Sequence, residues 1–356
     1  MKKDIKSMLL TELELYFESV GEKRFRAQQV FSWLSSGVTG FSDMSNLSAR
    51  LRENLEREFY ITVPVLIEKQ ISKSDGTVKY LWCLEEDDTA ECVLMEYSHG
   101  NTICISTQVG CRMGCTFCAS SLEGFKRNLS ASEMLDQVLF TQKDSGKRIS
   151  NVVLMGIGEP LDNFDNVIRF IELIRHPKGL NIGARHITLS TCGLIENIDK
   201  LAGYDVQLTL AISLHAPDDE TRTKLVPSNR ETGVRRLFEA AERYFIKTGR
   251  RVTFEYAMID GVNDSPEQAK QLSELLRKAK SHLNLILLSN VQERGLKASL
   301  AESVDAFTAI LKEYNINYTM RRSLGADIEA SCGQLRRRVL QETDFFYGNM
   351  GHNRQR

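Results

Sequence analysis

Short apolar runs alternate with amphipathic segments along most of this chain. Beyond residue 100 the apolar runs have the length of strands and lie at Thr102–Ser106, Asn151–Met155, His186–Thr191, Val206–Ser213, Arg251–Ile259, Asn284–Leu288 and Asn317–Arg321. The segments between them repeat apolar residues at helical spacing, at Ser130–Gln142, Phe164–Arg175, Ile195–Leu201, Gly233–Lys247, Pro266–Ala279 and Ala301–Glu313. This alternation predicts an α/β fold with a parallel sheet covered by helices. About six such units favour a full or partial barrel over an open Rossmann sheet.

The first part of the chain has a different pattern. Helical spacing occurs at Phe25–Leu34 and Leu47–Phe59, and strand-like runs follow at Ile61–Val65, Val78–Leu84 and Glu91–Met95. We therefore predict a small N-terminal accessory domain of helices and strands at residues 1–90. A core with a catalytic C-terminal segment follows at 91–335, and a basic, polar tail follows at 336–356.

Composition limits the classes of protein that fit. The 356 residues include 46 basic and 47 acidic side chains, and 42% of the residues are hydrophobic. These values fit a globular protein and exclude a disordered chain or a globally basic nucleic-acid binder, but they leave room for a local basic patch. No apolar run approaches the roughly 18 residues of a membrane span, and the N-terminus lacks the apolar core of a signal peptide. We expect a cytoplasmic protein without a membrane partner, and nothing in the sequence demands more than a monomer.

Three of the eight cysteines form the motif Cys111-x3-Cys115-x2-Cys118. A disulfide scaffold is a poor explanation in a chain of this length without a secretion signal. Thiolates are suited to iron–sulfur clusters and to zinc. No fourth Cys or His stands at a matching spacing, and an incomplete ligand set leaves one iron of a cluster open to a substrate. The alternative is a zinc knuckle that Cys104 or His99 completes.

Polar residues follow several of the predicted strands. Gly158 and Glu159 follow the second parallel strand, Ser190 ends the third, and Ser213, Leu214 and His215 end the fourth. In a β/α barrel the C-terminal strand ends form the active-site face. Glycine permits close approach of a ligand to the backbone, and a glutamate can accept a hydrogen bond from an amine. An ordinary turn explains the glycines equally well, and a lone histidine is usually structural.

The cysteine motif, CRMGCTFC, resembles the signature of the radical S-adenosylmethionine (SAM) superfamily. The segments TICISTQVGC, GFKRNL, MGIGEPL, LSTCGL, AISLHAP, GVND and ADIEASCGQL narrow the resemblance to the RlmN/Cfr family of RNA adenine methyltransferases, from about Gly21 to Leu335. The resemblance implies a radical SAM partial (β/α)6 barrel. It also implies a [4Fe–4S] cluster on Cys111, Cys115 and Cys118, and SAM bound by Gly158, Glu159, Ser190, Ser213, Leu214 and His215.

The resemblance also implies a reaction. Adenine C2 has no nucleophilic lone pair, so a carbon radical is needed to methylate it. One SAM methylates Cys332, a second yields the radical, and Cys104 resolves the protein–RNA crosslink and pairs with Cys332 in a disulfide. Glu91 matches the family's proton acceptor, although a solvated strand-end carboxylate would look the same. Cys83, Cys92 and Cys192 are assigned to packing.

The implied substrates are an adenosine in the peptidyl-transferase centre of 23S rRNA and the adenosine 3′ of the anticodon in some tRNAs. One alternative is C8 methylation of the same rRNA adenosine, and another is a non-catalytic iron–sulfur or zinc RNA-binding protein. An electron donor such as flavodoxin or ferredoxin is implied as a further partner.

Candidate RNA contacts and one departure from the family pattern complete the sequence-based predictions. The family carries an Asn-Pro pair after the strand at 284–288, where this chain has Ser289 and Asn290. Candidate contacts to RNA phosphates are Lys23, Arg24, Arg26, Lys126, Arg127, Arg321, Arg322 and the run Arg336–Arg338, of which the run next to Cys332 is the strongest.

Overall fold

The computed structural model describes residues 2–204, 206–289, 294–322, 324–328 and 333–339. The strands in this part of the chain are β1 (Lys3–Asp4), β2 (Phe59–Tyr60), β3 (Val65–Ile71), β4 (Val78–Cys83), β5 (Thr89–Tyr97), β6 (Gly100–Ile105), β7 (Gln108–Gly110), β8 (Phe125–Asn128), β9 (Ile149–Leu154), β10 (Ile187–Thr191), β11 (Thr209–Ser213), β12 (Val252–Met258), β13 (Ser281–Leu287) and β14 (Tyr318–Met320). The α-helices are α1 (Leu10–Ser19), α2 (Phe25–Ser35), α3 (Ala49–Glu58), α4 (Ala131–Ser145), α5 (Phe164–Arg175), α6 (Ile195–Ala202), α7 (Asp219–Leu225), α8 (Asn229–Thr232), α9 (Val234–Thr248), α10 (Pro266–Lys278) and α11 (Ala301–Glu313).

Ten strands form one sheet in the order β14-β13-β12-β11-β10-β9-β6-β5-β4-β3. Neighbours from β6 to β14 pair in parallel, and β3 to β6 pair antiparallel. Helices α4, α5, α6, α9, α10 and α11 each lie between consecutive parallel strands along the chain. Because β14 and β3 are edge strands, the sheet does not close on itself. The predicted α/β class and the partial barrel are confirmed.

Local sequence explains where the core helices begin. In α4, Ser130 Oγ accepts a hydrogen bond from the Glu133 amide (3.3 Å), and the Glu133 carboxylate accepts one from the Ser130 amide (2.9 Å). This reciprocal pair satisfies amides that the helix leaves without partners. In α10 the same arrangement joins Ser265 and Gln268. All six predicted core helices are found, and their ends agree with the prediction to within three residues.

One predicted strand is wrong, and several elements were not predicted. Residues 61–64 are not in a strand, and β3 begins only at Val65. Pro64 has no amide to donate to a ladder, and Thr62 instead donates its hydroxyl to Asp136 (2.5 Å). The hairpin of β7 and β8 and the helix α7 have no counterpart in the prediction.

The N-terminal helices dock on the core through a buried ion pair. Lys6 is 1% exposed, and its Nζ lies 2.6 Å from Asp136 Oδ1 on α4. Burial raises the pKa of Asp136 to about 6 even though Lys6 lies beside it. Strands β3 to β5, which span the predicted boundary at residue 90, belong to the same ladder as β6. The predicted division into domains stays a prediction.

The two faces of the sheet have different roles. Directly paired residues of antiparallel strands project to the same face. Cys92 and its partner Ile105 project into the main hydrophobic core, whereas Val93 and its partner Cys104 lie outside that core. Because side chains alternate along a strand, Glu91 shares the face of Val93 and Cys104. This second face, called the inner face below, carries the candidate site. No helix in the described ranges is long and apolar enough to cross a bilayer.

Candidate functional site

The three motif cysteines lie in the loop that joins β7 to β8. The loop begins at Gly110, whose φ of +77° favours glycine. A Cβ atom at this position would lie 1.8 Å from the carbonyl oxygen of Gly124. The Cys111 amide donates a hydrogen bond to that same oxygen (2.9 Å). Glycine at 110 therefore lets the two ends of the cysteine loop meet.

Further contacts fix the shape of the cysteine loop. The Thr116 amide donates to the carbonyl of Leu225 at the end of α7 (2.9 Å). Ser121 Oγ donates to the carbonyls of Cys115 (2.9 Å) and Cys118 (3.0 Å). The loop is thus attached to the barrel through α7 before any cofactor binds.

The electrostatics of the three thiols indicate a cationic partner. Burial, together with the nearby Cys118 and Glu159, raises the pKa of Cys111 to about 12. Burial and the other two thiols also raise the pKa of Cys115. Thiols whose ionisation the protein disfavours, as at Cys111 and Cys115, become thiolates when a bound metal centre supplies positive charge. The donor set fits an iron–sulfur cluster with three cysteine ligands.

The zinc alternative finds no support in the geometry. Within the described ranges, no three Cys, His, Asp or Glu side chains are grouped so that they could hold one metal ion. A structural zinc site needs four donors around a single ion. A cubane cluster instead binds each cysteine to a different iron, so its thiolates need not converge on one point.

The turn after β9 is built around Glu159. Its amide donates to Gln108 Oε1 (2.9 Å), and its carboxylate accepts from the amides of Leu161 (3.0 Å) and Cys192 (2.8 Å). Burial raises the pKa of Glu159. Gly158 has a φ of +108°, and a Cβ there would lie 2.6 Å from Gln108. The predicted acceptor for the SAM amino group is therefore held in place by backbone and side-chain donors from two neighbouring strand ends.

The two predicted serines meet at adjacent strand ends. Ser190 lies on β10 and Ser213 on β11, and their hydroxyl oxygens are 3.5 Å apart. Both side chains are half-buried. The parallel register of β10 and β11 brings these residues together, as the strand-end prediction requires.

His215 and Leu214 connect β11 to the cysteine loop. The His215 Nδ1 accepts a hydrogen bond from the Ala257 amide (3.0 Å), and burial lowers its pKa to about 3. The ring is therefore neutral, with its proton on Nε2. It packs edge-on against Phe117, at 4.7 Å between centroids. Leu214 is fully buried, so only its backbone can face a ligand.

Glu91 is buried on the inner face and has three partners. Its carboxylate lies 3.0 Å from Lys79 Nζ, which is fully buried. It also accepts hydrogen bonds from the Gly333 amide (2.7 Å) and the Arg336 amide. The interpretation of Glu91 as a solvated carboxylate is wrong, because β4 and the segment after Cys332 cover it.

Of the predicted cysteine pair, the structure describes Cys104. Cys104 lies on β6, is 9% exposed and shares the inner face with Glu91. Cys332 lies outside the described residues. Its neighbour Gly333 is described. A Cβ at Gly333 would lie 2.7 Å from the amide nitrogen of Ser120, which is two residues after Cys118 in the cysteine loop.

The remaining cysteines differ in their surroundings. Cys92 is buried, with its sulfur 3.3 Å from Trp82 Nε1 and 3.2 Å from Thr141 Oγ1. Cys83 is half-buried. Cys192 belongs to a small apolar cluster that includes Cys115. These environments agree with packing roles, although Cys192 also borders the cysteine loop.

Several candidate RNA contacts are already paired within the protein. Arg24 pairs with Glu14, and Lys126 and Arg127 both pair with Asp88. The strongest sequence candidates were Arg336–Arg338, but Arg336 is 9% exposed, donates to Thr89 Oγ1 (3.0 Å) and belongs to a helical stretch at 334–339. Arg336 is therefore packed against the strand that carries Glu91, and the predicted basic, polar tail at 336–356 stays a prediction. Ser289 is exposed, and Asn290 lies outside the described residues.

Sequence reasoning missed Arg222 on α7. It is fully buried and donates hydrogen bonds to the carbonyls of Leu214 (3.0 Å), Ser213 (2.9 Å) and Cys192 (2.6 Å). Its segment, DETRTKL, gives no signal of burial, because its charged residues look like an ordinary solvent-facing helix.

The fold and the cysteine loop define an α/β protein of the radical SAM class. The model of the radical SAM superfamily matches residues 105–273, and that of the ribosomal RNA large subunit methyltransferase N-terminal domain matches residues 3–61. The crystal structure of a radical SAM methyltransferase from Sphaerobacter thermophilus is similar, with a TM-score of 0.88 and 39% identity. That similarity covers 93% of this chain and 98% of the other.

Curated relatives match over nearly the full length. The chain is 51% identical over 340 residues to a probable dual-specificity RNA methyltransferase RlmN of Alkaliphilus oremlandii, covering 96% of this chain and 99% of that protein. It is 50% identical over 342 residues to a protein of the same description from Geobacillus kaustophilus, covering 95% and 93%. The chain belongs to the RlmN family of radical SAM RNA methyltransferases. The predicted enzyme class is confirmed, and with it a [4Fe–4S] cluster and SAM are implied.

Proposed function

We propose that this enzyme methylates C2 of an adenosine in 23S rRNA, at the peptidyl-transferase centre, and of the adenosine 3′ of the anticodon in some tRNAs. The methyl group is carried on Cys332. The observation that carries the proposal is the contact of Glu91 with the Gly333 amide (2.7 Å), next to the cysteine loop. This contact supports the proposal, because Gly333, the residue after Cys332, lies against both Glu91 and the segment that follows Cys118.

The cofactors have a defined place in this proposal. Cys111, Cys115 and Cys118 would hold a [4Fe–4S] cluster, which when bound would supply the electron for reductive cleavage of SAM. The turn at Glu159, the serine pair and the backbone at Leu214 line the neighbouring strand ends and orient SAM. The partly buried cysteine loop keeps water away from the reacting groups.

The inner face supplies the remaining groups. After the carbon radical adds to C2, the adduct would lose one electron, which the oxidised cluster would take up, and the C2 proton, which Glu91, paired with Lys79, accepts. Cys104, on the adjacent strand and the same face, then attacks the carrier sulfur and forms the disulfide with Cys332. The bond between that sulfur and the methylene carbon breaks, and the methylene carbon keeps the electron pair and takes up a proton to become the methyl group of the released RNA. The physiological electron donor is a small protein such as flavodoxin or ferredoxin.

Mass spectrometry tests the carrier role of Cys332. Protein reconstituted anaerobically is incubated with SAM that carries a deuterated methyl group, and its peptides are analysed. We expect the label on the Cys332 peptide, and its loss in Cys332→Ser. The matched control Cys83→Ser changes a half-buried cysteine outside the site and should keep the label. Label on another cysteine, or none, would contradict the proposal.

The position of the methyl group on RNA needs a second measurement. 23S rRNA and tRNA are digested to nucleosides after reaction with the reconstituted enzyme and a reductant. We expect 2-methyladenosine from both RNAs, whereas 8-methyladenosine would establish the C8 alternative. Label on tRNA alone, or on rRNA alone, would restrict the substrate range.

A further inference from the structure

Arg222 is a cation buried under the cysteine loop. Its side chain is completely inaccessible to solvent. Besides the carbonyls of Leu214, Ser213 and Cys192, it donates to Asn229 Oδ1 (2.6 Å). Four neutral acceptors thus fix the guanidinium. Three of them are backbone carbonyls that lie at the predicted SAM-binding strand ends or next to those ends.

No acidic side chain neutralises this charge directly. In the described part of the chain, no carboxylate oxygen lies within 4.0 Å of the guanidinium. Asp219 acts on the guanidinium from a greater distance, and the nearest link is Asn229, whose Nδ2 donates to Asp219 Oδ1 (3.0 Å). An unpaired buried charge costs several kcal/mol of folding free energy. Carbonyl dipoles offset part of that cost, and an anion held nearby would offset more.

One of the predicted sulfur ligands packs close to this cation. Arg222 donates to the Cys192 carbonyl (2.6 Å), and Cys115 packs against the small apolar cluster that contains Cys192. The loop that carries Cys115 is attached to the end of α7 by the Thr116–Leu225 hydrogen bond. The helix that holds Arg222 therefore also holds the loop, so the distance between the cation and the ligands is fixed.

We infer that Arg222 is the built-in counter-charge of the iron–sulfur cluster and raises the reduction potential of that cluster. A cluster on three thiolates carries net negative charge, and the electron it accepts makes that charge larger. A fixed cation nearby stabilises the reduced form more than the oxidised form. The inference rests on the proposed cluster and adds a positioning residue that the family motifs do not include.

A purely structural role is the competing explanation. Arg222 joins the ends of β10 and β11 to α7, so its loss could simply loosen the strand ends. Two substitutions separate charge from structure. Arg222→Lys keeps the positive charge but not the planar fork of donors, whereas Arg222→Gln keeps polar contacts and removes the charge.

A redox titration followed by electron paramagnetic resonance provides the test. Wild type, both variants and Arg250→Gln are reconstituted anaerobically and titrated with dithionite without SAM. Arg250 is the matched control, because it donates to the other end of β11, at Thr209 Oγ1 (3.2 Å) and at the carbonyl of the preceding Leu208 (3.4 Å). A wild type that forms no four-iron cluster would refute the proposed function itself.

The expected result is specific. Arg222→Gln should lower the reduction potential by at least about 59 mV, a tenfold loss of reduced cluster at a fixed potential. Arg222→Lys should stay closer to wild type, and Arg250→Gln should not differ from wild type. Equal potentials in wild type and Arg222→Gln, or equal shifts in the two Arg222 variants, would overturn the inference.

A second measurement, the iron and sulfide content after reconstitution, is used if Arg222→Gln takes up no iron. Iron and sulfide content are then compared between Arg222→Lys and wild type. Normal loading of Arg222→Lys supports a requirement for charge. Failure of both variants shows that the fork of hydrogen bonds alone matters and overturns the inference.

Discussion

The buried pair of Lys79 and Glu91 makes a strong prediction about stability. Lys79 is fully buried, Glu91 is 3% exposed, and the charged atoms are 3.0 Å apart. In Lys79→Met the carboxylate loses its counter-charge and keeps only the Gly333 and Arg336 amides among the partners described above. Removing one partner of a buried pair leaves an uncompensated charge, which costs about 3–5 kcal/mol.

A double-mutant cycle measures how much of that cost belongs to the pair. Glu91→Gln removes the carboxylate that lies 3.0 Å from Lys79 Nζ and should cost a similar amount. In the double variant both charges are absent, so its cost should fall below the sum by at least about 2 kcal/mol. The exposed pair of Lys200 and Asp165, at 3.1 Å, is the matched control. Its cycle should give a coupling of about 0–1 kcal/mol.

Urea unfolding of the metal-free protein at pH 7 is the assay, followed by circular dichroism and by tryptophan fluorescence. Coincident transitions establish that a single free energy of unfolding can be compared among the variants. Additive effects of Lys79→Met and Glu91→Gln would refute the argument, as would a cost of Lys79→Met below about 1 kcal/mol.

Three further predictions address the loop, the histidine and SAM. Gly110→Ala should lower the free energy of unfolding by at least about 2 kcal/mol and reduce iron uptake, because the added Cβ clashes with the Gly124 carbonyl. Gly124→Ala is the control: Gly124 has a φ of +69° and open space around it, so this change should cost only about 1 kcal/mol. Urea unfolding of the two variants measures the difference. The pKa of His215 is about 3 when folded and 6.5 as the ordinary value, so the unfolded state binds more protons between these limits. As the pH falls from 6.5, the free energy of unfolding should therefore decrease more steeply in wild type than in His215→Gln, by up to about 1.4 kcal/mol per pH unit. Parallel pH profiles of the two proteins would refute this. Ser213→Ala should weaken SAM binding about fivefold in equilibrium dialysis of the reconstituted protein, and unchanged affinity would remove Ser213 from the SAM site.

Hydrophobic patterning predicted the core well for a physical reason. In β9 and β10 the residues of the core-facing side are buried apolar side chains at alternate positions, which is the pattern that predicts a strand. Helix starts were equally clear where a cap exists, as at Ser130 and Glu133. The agreement is best for elements whose burial and local capping favour the same structure.

The features that the sequence did not reveal depend on tertiary contacts. Lys79 and Arg222 are buried charges, which composition rules assign to the surface. Lys79 is buried because β4 pairs with β5 and puts it beside Glu91, and Arg222 because strand ends supply carbonyls. The strands of the β7–β8 hairpin are too short to show a period. The error at 61–64 arose because apolar residues outweighed the single breaking signal of Pro64.

The mixed sheet explains how the candidate groups come together. Glu91 and its partner Lys79 lie on antiparallel strands, whereas Cys104 lies on β6, the strand at which the sheet changes from antiparallel to parallel. Glu91 therefore reaches the inner face from one side, and the strand ends with Ser190 and Ser213 reach it from the other. Because β6 is hydrogen-bonded on both sides, the positions of these groups are set by one continuous ladder. The antiparallel strands are thus part of the site's framework, since without β4 the Glu91 carboxylate would lose its buried counter-charge.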